Sequence, residues 1–209
     1  VISNASLLWR GEVRRRLLEA DWVSVKVDSV LPETWHRVNR PHGSLDLDRI
    51  LGGIRAFAAE FAGDLTTETM LVEGINDGES DAEAVADFLR SIQPQAVYVS
   101  IPTRPPAEEW AHEPPEKAIN RFYQVLSDRI EHVEYLIGYE GNAFAFTGDP
   151  AEDLLSITAV HPMREEAVED FLNRADAGWD EVEKLVKEGK LKVTEYEGNR
   201  YFMRSLPGR

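Results

Sequence analysis

The 209 residues contain no cysteine. That excludes disulfides, thiolate nucleophiles and every cysteine-ligated metal site within these residues, iron–sulfur clusters included. Long apolar runs are also missing. No stretch approaches the roughly 20 residues a spanning helix needs, and no charged-then-apolar leader precedes the first strand pattern, so the reading is a cytoplasmic protein with no membrane partner. The histidines His36, His42, His112, His132 and His161 lack spacing of the HxxxH kind, which points away from a metal site; His161 is read as packing a domain junction. Basic residues are scarce beside acids, 23 against 38, giving a net charge of -15. The surface as a whole therefore repels phosphate backbones, although a local basic face stays possible inside an acidic total. The bases are mostly arginine, which fits a salt-adapted or GC-rich source as well as simple solubility.

What is present describes a soluble globular chain: 43% hydrophobic and 29% charged residues. The length allows one domain of ordinary size and a small second one. Strand patterns fall at Val1–Asn4, Trp22–Asp28, Leu65–Val72, Ala96–Ile101 and Val133–Tyr139. Helical patterns fall at Gly11–Ala20, Leu47–Phe61, Asp81–Ile92 and Glu116–Arg129. This alternation predicts an α/β fold of parallel strands with right-handed crossovers, doubly wound or a barrel. Near Gly148 the character changes. `GDPAEDLLSITAVHP` carries turn residues at both ends, followed by helical patterns at Arg164–Ala175 and Trp179–Lys187 and by two strands about a Gly-Asn turn at Glu197–Arg200. Helix, helix, hairpin outlines a small winged-helix domain over 149–209, after a first domain over 1–148. The expected small core is Ala167, Val168, Phe171 and Leu172 against Val182, Leu185 and Val186, with Val193, Tyr201 and Met203 from the hairpin.

In `VSVKVDS` the residues Val23, Val25 and Val27 share one strand face and Ser24, Lys26 and Asp28 the other. Strands of parallel sheets are usually apolar on both faces, so a polar face is unusual. The next strand repeats it, with Glu68 in mid-strand, and a carboxylate buried without a partner costs several kcal/mol or forces its neutralisation. Two readings are open: Lys26 and Glu68 pair across the sheet as a salt bridge without a ligand, or they line a lumen for a polar ligand together with Asn4, Asp28, Ser100 and Arg104 near carboxyl-terminal strand ends.

These residues, in this order, resemble the radical S-adenosylmethionine (radical SAM) enzymes over about the first 145 residues. `ISN` resembles the family's fourth strand, `VKVDS` with `ETWHRVNRP` its fifth strand and continuation, and `TMLVEGINDGE` its sixth strand and exit. The resemblance implies a partial (β/α) barrel and an oxidoreductase-type chemistry. A 4Fe-4S cluster held by a CxxxCxxC motif chelates S-adenosylmethionine, whose reductive cleavage yields a 5'-deoxyadenosyl radical that acts on a substrate in the barrel. It further implies that Ser3 and Asn4 lie near the ribose, that Ser24, Lys26, Asp28 and Glu68 face the cofactor, and that Val72 and Asn76 lie near the adenine. The cysteine motif and the glycine-rich second-strand motif are missing here. The expectation is a carboxyl-terminal portion of such an enzyme, inactive alone, with the cluster ligands upstream of Val1 and an electron donor such as a flavodoxin or ferredoxin as partner. The substrate class stays open among protein, tRNA and small molecule.

Arg104, in the rigid `IPTRPP`, is a candidate clamp for a substrate carboxylate or phosphate, or an outward arginine on a stiff loop. Tyr139 and Glu140 in `YEGN` are candidate substrate contacts at a strand end, or a turn. In the carboxyl-terminal part, `GWDEVEKLVKEGK` has four acids and three bases, so protein or substrate docking is favoured over nucleic acid. Two rival functions remain: a cluster-free module binding a nucleotide-like ligand, and a metabolite-sensing winged-helix regulator.

Overall fold

The computed structural model describes residues 1–136, 147–159, 162–196 and 198–205. It divides into two compact units, Val1–Pro102 with Glu108–Ile137, and Thr103–Ala107 with Gly138–Arg209.

The first unit carries β1 (Ile2–Ser3), α1 (Gly11–Leu17), β2 (Trp22–Lys26), α2 (Pro32–Asn39), α3 (Leu47–Glu60), β3 (Asp64–Met70), α4 (Glu79–Ile92), β4 (Ala96–Ser100), α5 (Glu116–Ser127) and β5 (Val133–Leu136). The five strands form one parallel sheet in the order β1-β2-β3-β4-β5. Strand order follows chain order, without the reversal that marks a doubly wound sheet, and this is how a (β/α) barrel winds. The valines decide which face the helices cover. Val23, Val25, Val97 and Val99 are buried with Ile54 and Phe57 of α3, Val85 and Leu89 of α4 and Phe122 and Leu126 of α5 in one continuous core. Burying each such side chain stabilises by roughly 1.5–3 kcal/mol.

Helix α2 forms within the stretch singled out above only by resemblance, with Pro32 in its first turn. A proline there loses no hydrogen bond, since the first helical N–H groups lack partners anyway. At its end Arg40 takes the left-handed conformation, φ 44° and ψ 54°.

The second unit contains α6 (Pro150–Thr158), β6 (Met163–Arg164), α7 (Glu165–Arg174), α8 (Asp180–Lys187), β7 (Leu191–Tyr196) and β8 (Asn199–Arg204), with a three-stranded antiparallel sheet in the order β6-β8-β7. Helix α6 occupies the stretch read above as bounded by turns. Its start signal was legible: the Asp149 side chain accepts from the N–H groups of Ala151 and Glu152, with Pro150 next to it.

The core of this unit corrects the expected hairpin contribution. Leu191 and Phe202 join Leu154, Leu155, Met163, Ala167, Val168, Phe171, Leu172, Val182 and Leu185, whereas Val193 and Val186 are exposed. Phe202, between Tyr201 and Met203, faces the helices, so the parity taken for β8 was one residue off and every side chain changes face. Tyr201 is buried on the opposite side, its hydroxyl donating to the Thr103 carbonyl at 2.9 Å and accepting from Arg164 Nε at 2.9 Å. Val193 lies on the edge strand of the small sheet.

Candidate functional site

The sheet face away from the helices carries the unusual residues. Cα partners in register across parallel strands point to the same side, so Lys26, Glu68, Tyr98 and Glu134 form one row, and Ile2, Ser24, Thr66 and Ala96 the row before it. Lys26 Nζ donates to Glu68 Oε1 at 3.1 Å and lies 3.6 Å from Asp28 Oδ1. Ser100 Oγ donates to the same Glu68 oxygen at 2.8 Å. The Lys26 and Glu68 side chains keep 27% and 23% of their exposure, so the pair is reachable. Burial disfavours the Lys26 ammonium, but the Asp28 and Glu68 charges and hydrogen bonds outweigh it and hold its pKa above the usual 10.5. The cation is therefore permanent at neutral pH.

Asp28 is almost fully buried and its carboxylate is engaged by the chain itself. It accepts from Asn39 Nδ2 at 2.7 Å and from the Met70 N–H at 2.9 Å. Asn76 is wholly buried: its Oδ1 accepts from the Val72 N–H at 2.8 Å, and its Nδ2 donates to the carbonyls of Asp28 and Met70 at 2.8 and 2.9 Å. These two side chains tie the ends of β2 and β3 together. Asn4 shares a cavity wall with Lys26 and Asp28, but this cavity, about 20 Å³, has room for one water only. A ligand on this face must lie over the Lys26–Glu68 pair.

The structure thus brings together Asn4, Ser24, Lys26, Asp28 and Glu68. It separates Ser3, which pairs in register with Val25 on the helix-covered side and uses its hydroxyl to accept from the Ala5 N–H. Val72 is buried beyond β3, its N–H held by Asn76. Arg104 belongs to the second compact unit, and Tyr139 and Glu140 lie outside the described residues. Ser100, expected on the polar side, does reach it through Glu68. Two contributors were not singled out as site residues: Tyr98 depends on register, which a single strand's pattern does not reveal, while Asn39 stood in view at the end of `WHRVN`. Thr66 Oγ1 is also buried on this face without a hydrogen-bond partner among the described residues. Among those residues no group of histidine and carboxylate side chains could hold a metal ion, and no helix is long and apolar enough to cross a membrane.

No family model matches the chain. It is similar to "UPF0026 protein MJ1312" of Methanocaldococcus jannaschii, 39% identical over 211 residues that cover 100% of this chain and 66% of that protein. The chain spans between 34% and 66% of the length of the UPF0026 proteins it matches. Among solved structures, a domain of pyruvate-formate lyase-activating enzyme from Bacteroides vulgatus is similar with a TM-score of 0.51, at 20% identity over 64% of this chain and 78% of that one. At that identity the likeness shows a shared fold alone. A radical SAM methyltransferase from Sphaerobacter thermophilus matches with a TM-score of 0.49, at 24% identity over 65% of this chain and 40% of that one. In this parallel sheet, the polar row occupies the face free of the core helices.

Proposed function

We propose that this chain is the S-adenosylmethionine-binding side of a radical SAM enzyme acting on a substrate still to be identified. One observation carries the reading: a solvent-reachable Lys26–Glu68 pair, braced by Ser100, stands on the helix-free face of a sheet with a radical SAM-like fold. The residues present fit a polar nucleoside ligand, because Lys26 and Ser100 both bond the same Glu68 oxygen, Oε1, and the buried Thr66 hydroxyl lacks a partner among the described residues. They do not fit a 4Fe-4S cluster, since no cysteine is available; its ligands, and the electron donor it needs, belong to a longer protein in this reading. When bound, S-adenosylmethionine supplies 5'-deoxyadenosyl radical chemistry. This chain's part is to bind and orient: Lys26 offers a fixed cation, Glu68 an acceptor, and Asp28 with Asn76 a rim that keeps both strand ends in place.

In the second unit, we read the order α6-β6-α7-α8-β7-β8 as a winged helix. Helix α8 begins with Asp180, Glu181 and Glu183, which favours a protein or substrate docking role over nucleic acid. The lack of cysteine also favours a second reading, a cluster-free module that binds a nucleotide-like ligand without chemistry.

Calorimetric titration of S-adenosylmethionine into the 209-residue chain tests the proposal. Binding that weakens roughly tenfold or more in Glu68→Gln and Lys26→Met supports it; binding unchanged in both, or none at all, overturns it. Assaying the longest natural gene product for 5'-deoxyadenosine release separates the radical enzyme from the binding module.

A further inference from the structure

A separate groove lies at the carboxyl-terminal rim of the parallel sheet, where α/β proteins place their ligands. It encloses about 450 Å³ and is lined by His36 and Arg37 of α2, by Arg40 just past its end, by Glu73 and Ile75 after β3, and by Trp110 of the β4–α5 connection. The volume lies in the range of small-molecule sites, roughly 300–1,000 Å³. In a chain of net charge -15, the stretch `WHRVNRPH` that supplies three of these residues has two arginines, two histidines and no acid.

Three observations point to one ligand chemistry. Arg37 Nη2 is drawn to the rim by the Gly74 carbonyl at 3.4 Å, and Arg40 Nη1 holds the Glu108 carboxylate. A planar carboxylate is thus already seated on Arg40, in an exposed pair of the kind that contributes little. Trp110 is 43% exposed beside them and stacks on no other ring among the described residues, leaving a π-face of the kind that takes a base. Finally, Arg40 sits at φ 44°, a conformation that helix ends usually give to glycine.

We propose that this groove binds a nucleotide unit, its base against Trp110 and Ile75 and its phosphate on Arg37 and Arg40. The groove adjoins the turn between Val72 and Asn76 that the resemblance puts near the adenine, but Arg37, Arg40 and Trp110, which carry this proposal, have no part in the S-adenosylmethionine reading. The unit can be a free nucleotide or part of a single strand.

The test is calorimetric titration of the 209-residue chain with uridine 5'-monophosphate, uridine, inorganic phosphate and a short oligouridylate. Expected is binding of the monophosphate at least about tenfold tighter than of uridine or phosphate alone, since both halves of the site are then used. Arg40→Gly relieves the left-handed backbone, so it should keep the melting temperature while weakening the monophosphate about tenfold. Trp110→Leu, at an exposed position, should weaken it roughly fivefold or more, and Glu108→Gln should tighten it. Oligouridylate binding that is tighter and falls steeply with salt assigns the site to a single strand; equal binding assigns it to a free nucleotide. The proposal is overturned if the monophosphate binds no better than phosphate, if Arg40→Gly and Trp110→Leu both leave it unchanged, or if S-adenosylmethionine displaces it competitively.

Discussion

Asn76 and Lys26 show how differently two polar side chains of one site can act. Asn76 makes three hydrogen bonds to backbone groups from a fully buried position. Asn76→Ala should cost about 2–4 kcal/mol, because it leaves one N–H and two carbonyls unpaired away from water. Equilibrium denaturation measures this, and a loss below about 1 kcal/mol would mean that water replaces the amide. Lys26 is partly exposed, so Lys26→Met should cost only about 1–2 kcal/mol, between surface and buried ion pairs. Its pKa is raised, the balance of burial against the Asp28 and Glu68 charges. A raised lysine contributes stability that is complete below its unfolded value near 10.5 and is lost as pH rises through the higher folded value. The difference between wild type and Lys26→Met should therefore stay constant from pH 6 to 9 and shrink only above about 10.5. A difference that already shrank at pH 8 would contradict the assigned cation.

Helix α3 carries two adjacent glycines with opposite duties. A Cβ on Gly53 would lie 2.3 Å from the Trp9 N and 2.5 Å from the Leu8 C, backbone atoms that cannot step aside, whereas one on Gly52 would meet nothing within 4 Å. Close approach of α3 to the turn after β1 requires Gly53. Gly53→Ala should destabilise by several kcal/mol through overpacking, and Gly52→Ala should stabilise by about 0.5–1 kcal/mol through helix propensity. Thermal melts of the two variants settle the contrast; equal shifts would mean that α3 is free to move off the turn.

Each of the two compact units closes a hydrophobic core of its own, one between the parallel sheet and α3, α4 and α5, the other among α6, α7, α8 and the small sheet. Phe171 is completely buried in the second. Phe171→Asp places an unpaired charge there, one of the few single changes worth more than about 4 kcal/mol. Hydrogen exchange should then show the amides of β7 and β8 unprotected while those of β2, β3 and β4 keep their protection. Loss of protection in both units together would make the chain one cooperative block.

The sequence alone determined the alternation of strands and helices, the polar parity of Lys26, Asp28 and Glu68 and the exclusion of cysteine chemistry within these residues. These follow from local periodicity and composition, which a chain displays one residue at a time. It left undecided whether Lys26 meets Glu68, that Ser100 braces the pair, that Asn39 and Asn76 are consumed by Asp28 and the strand ends, and that Phe202 rather than Tyr201 faces the helices of its unit. Those depend on register and on which element covers which face, and a one-residue shift in either reverses the answer. Only the packed sheet, where Lys26 and Glu68 become Cα partners across 42 residues of chain, decided them.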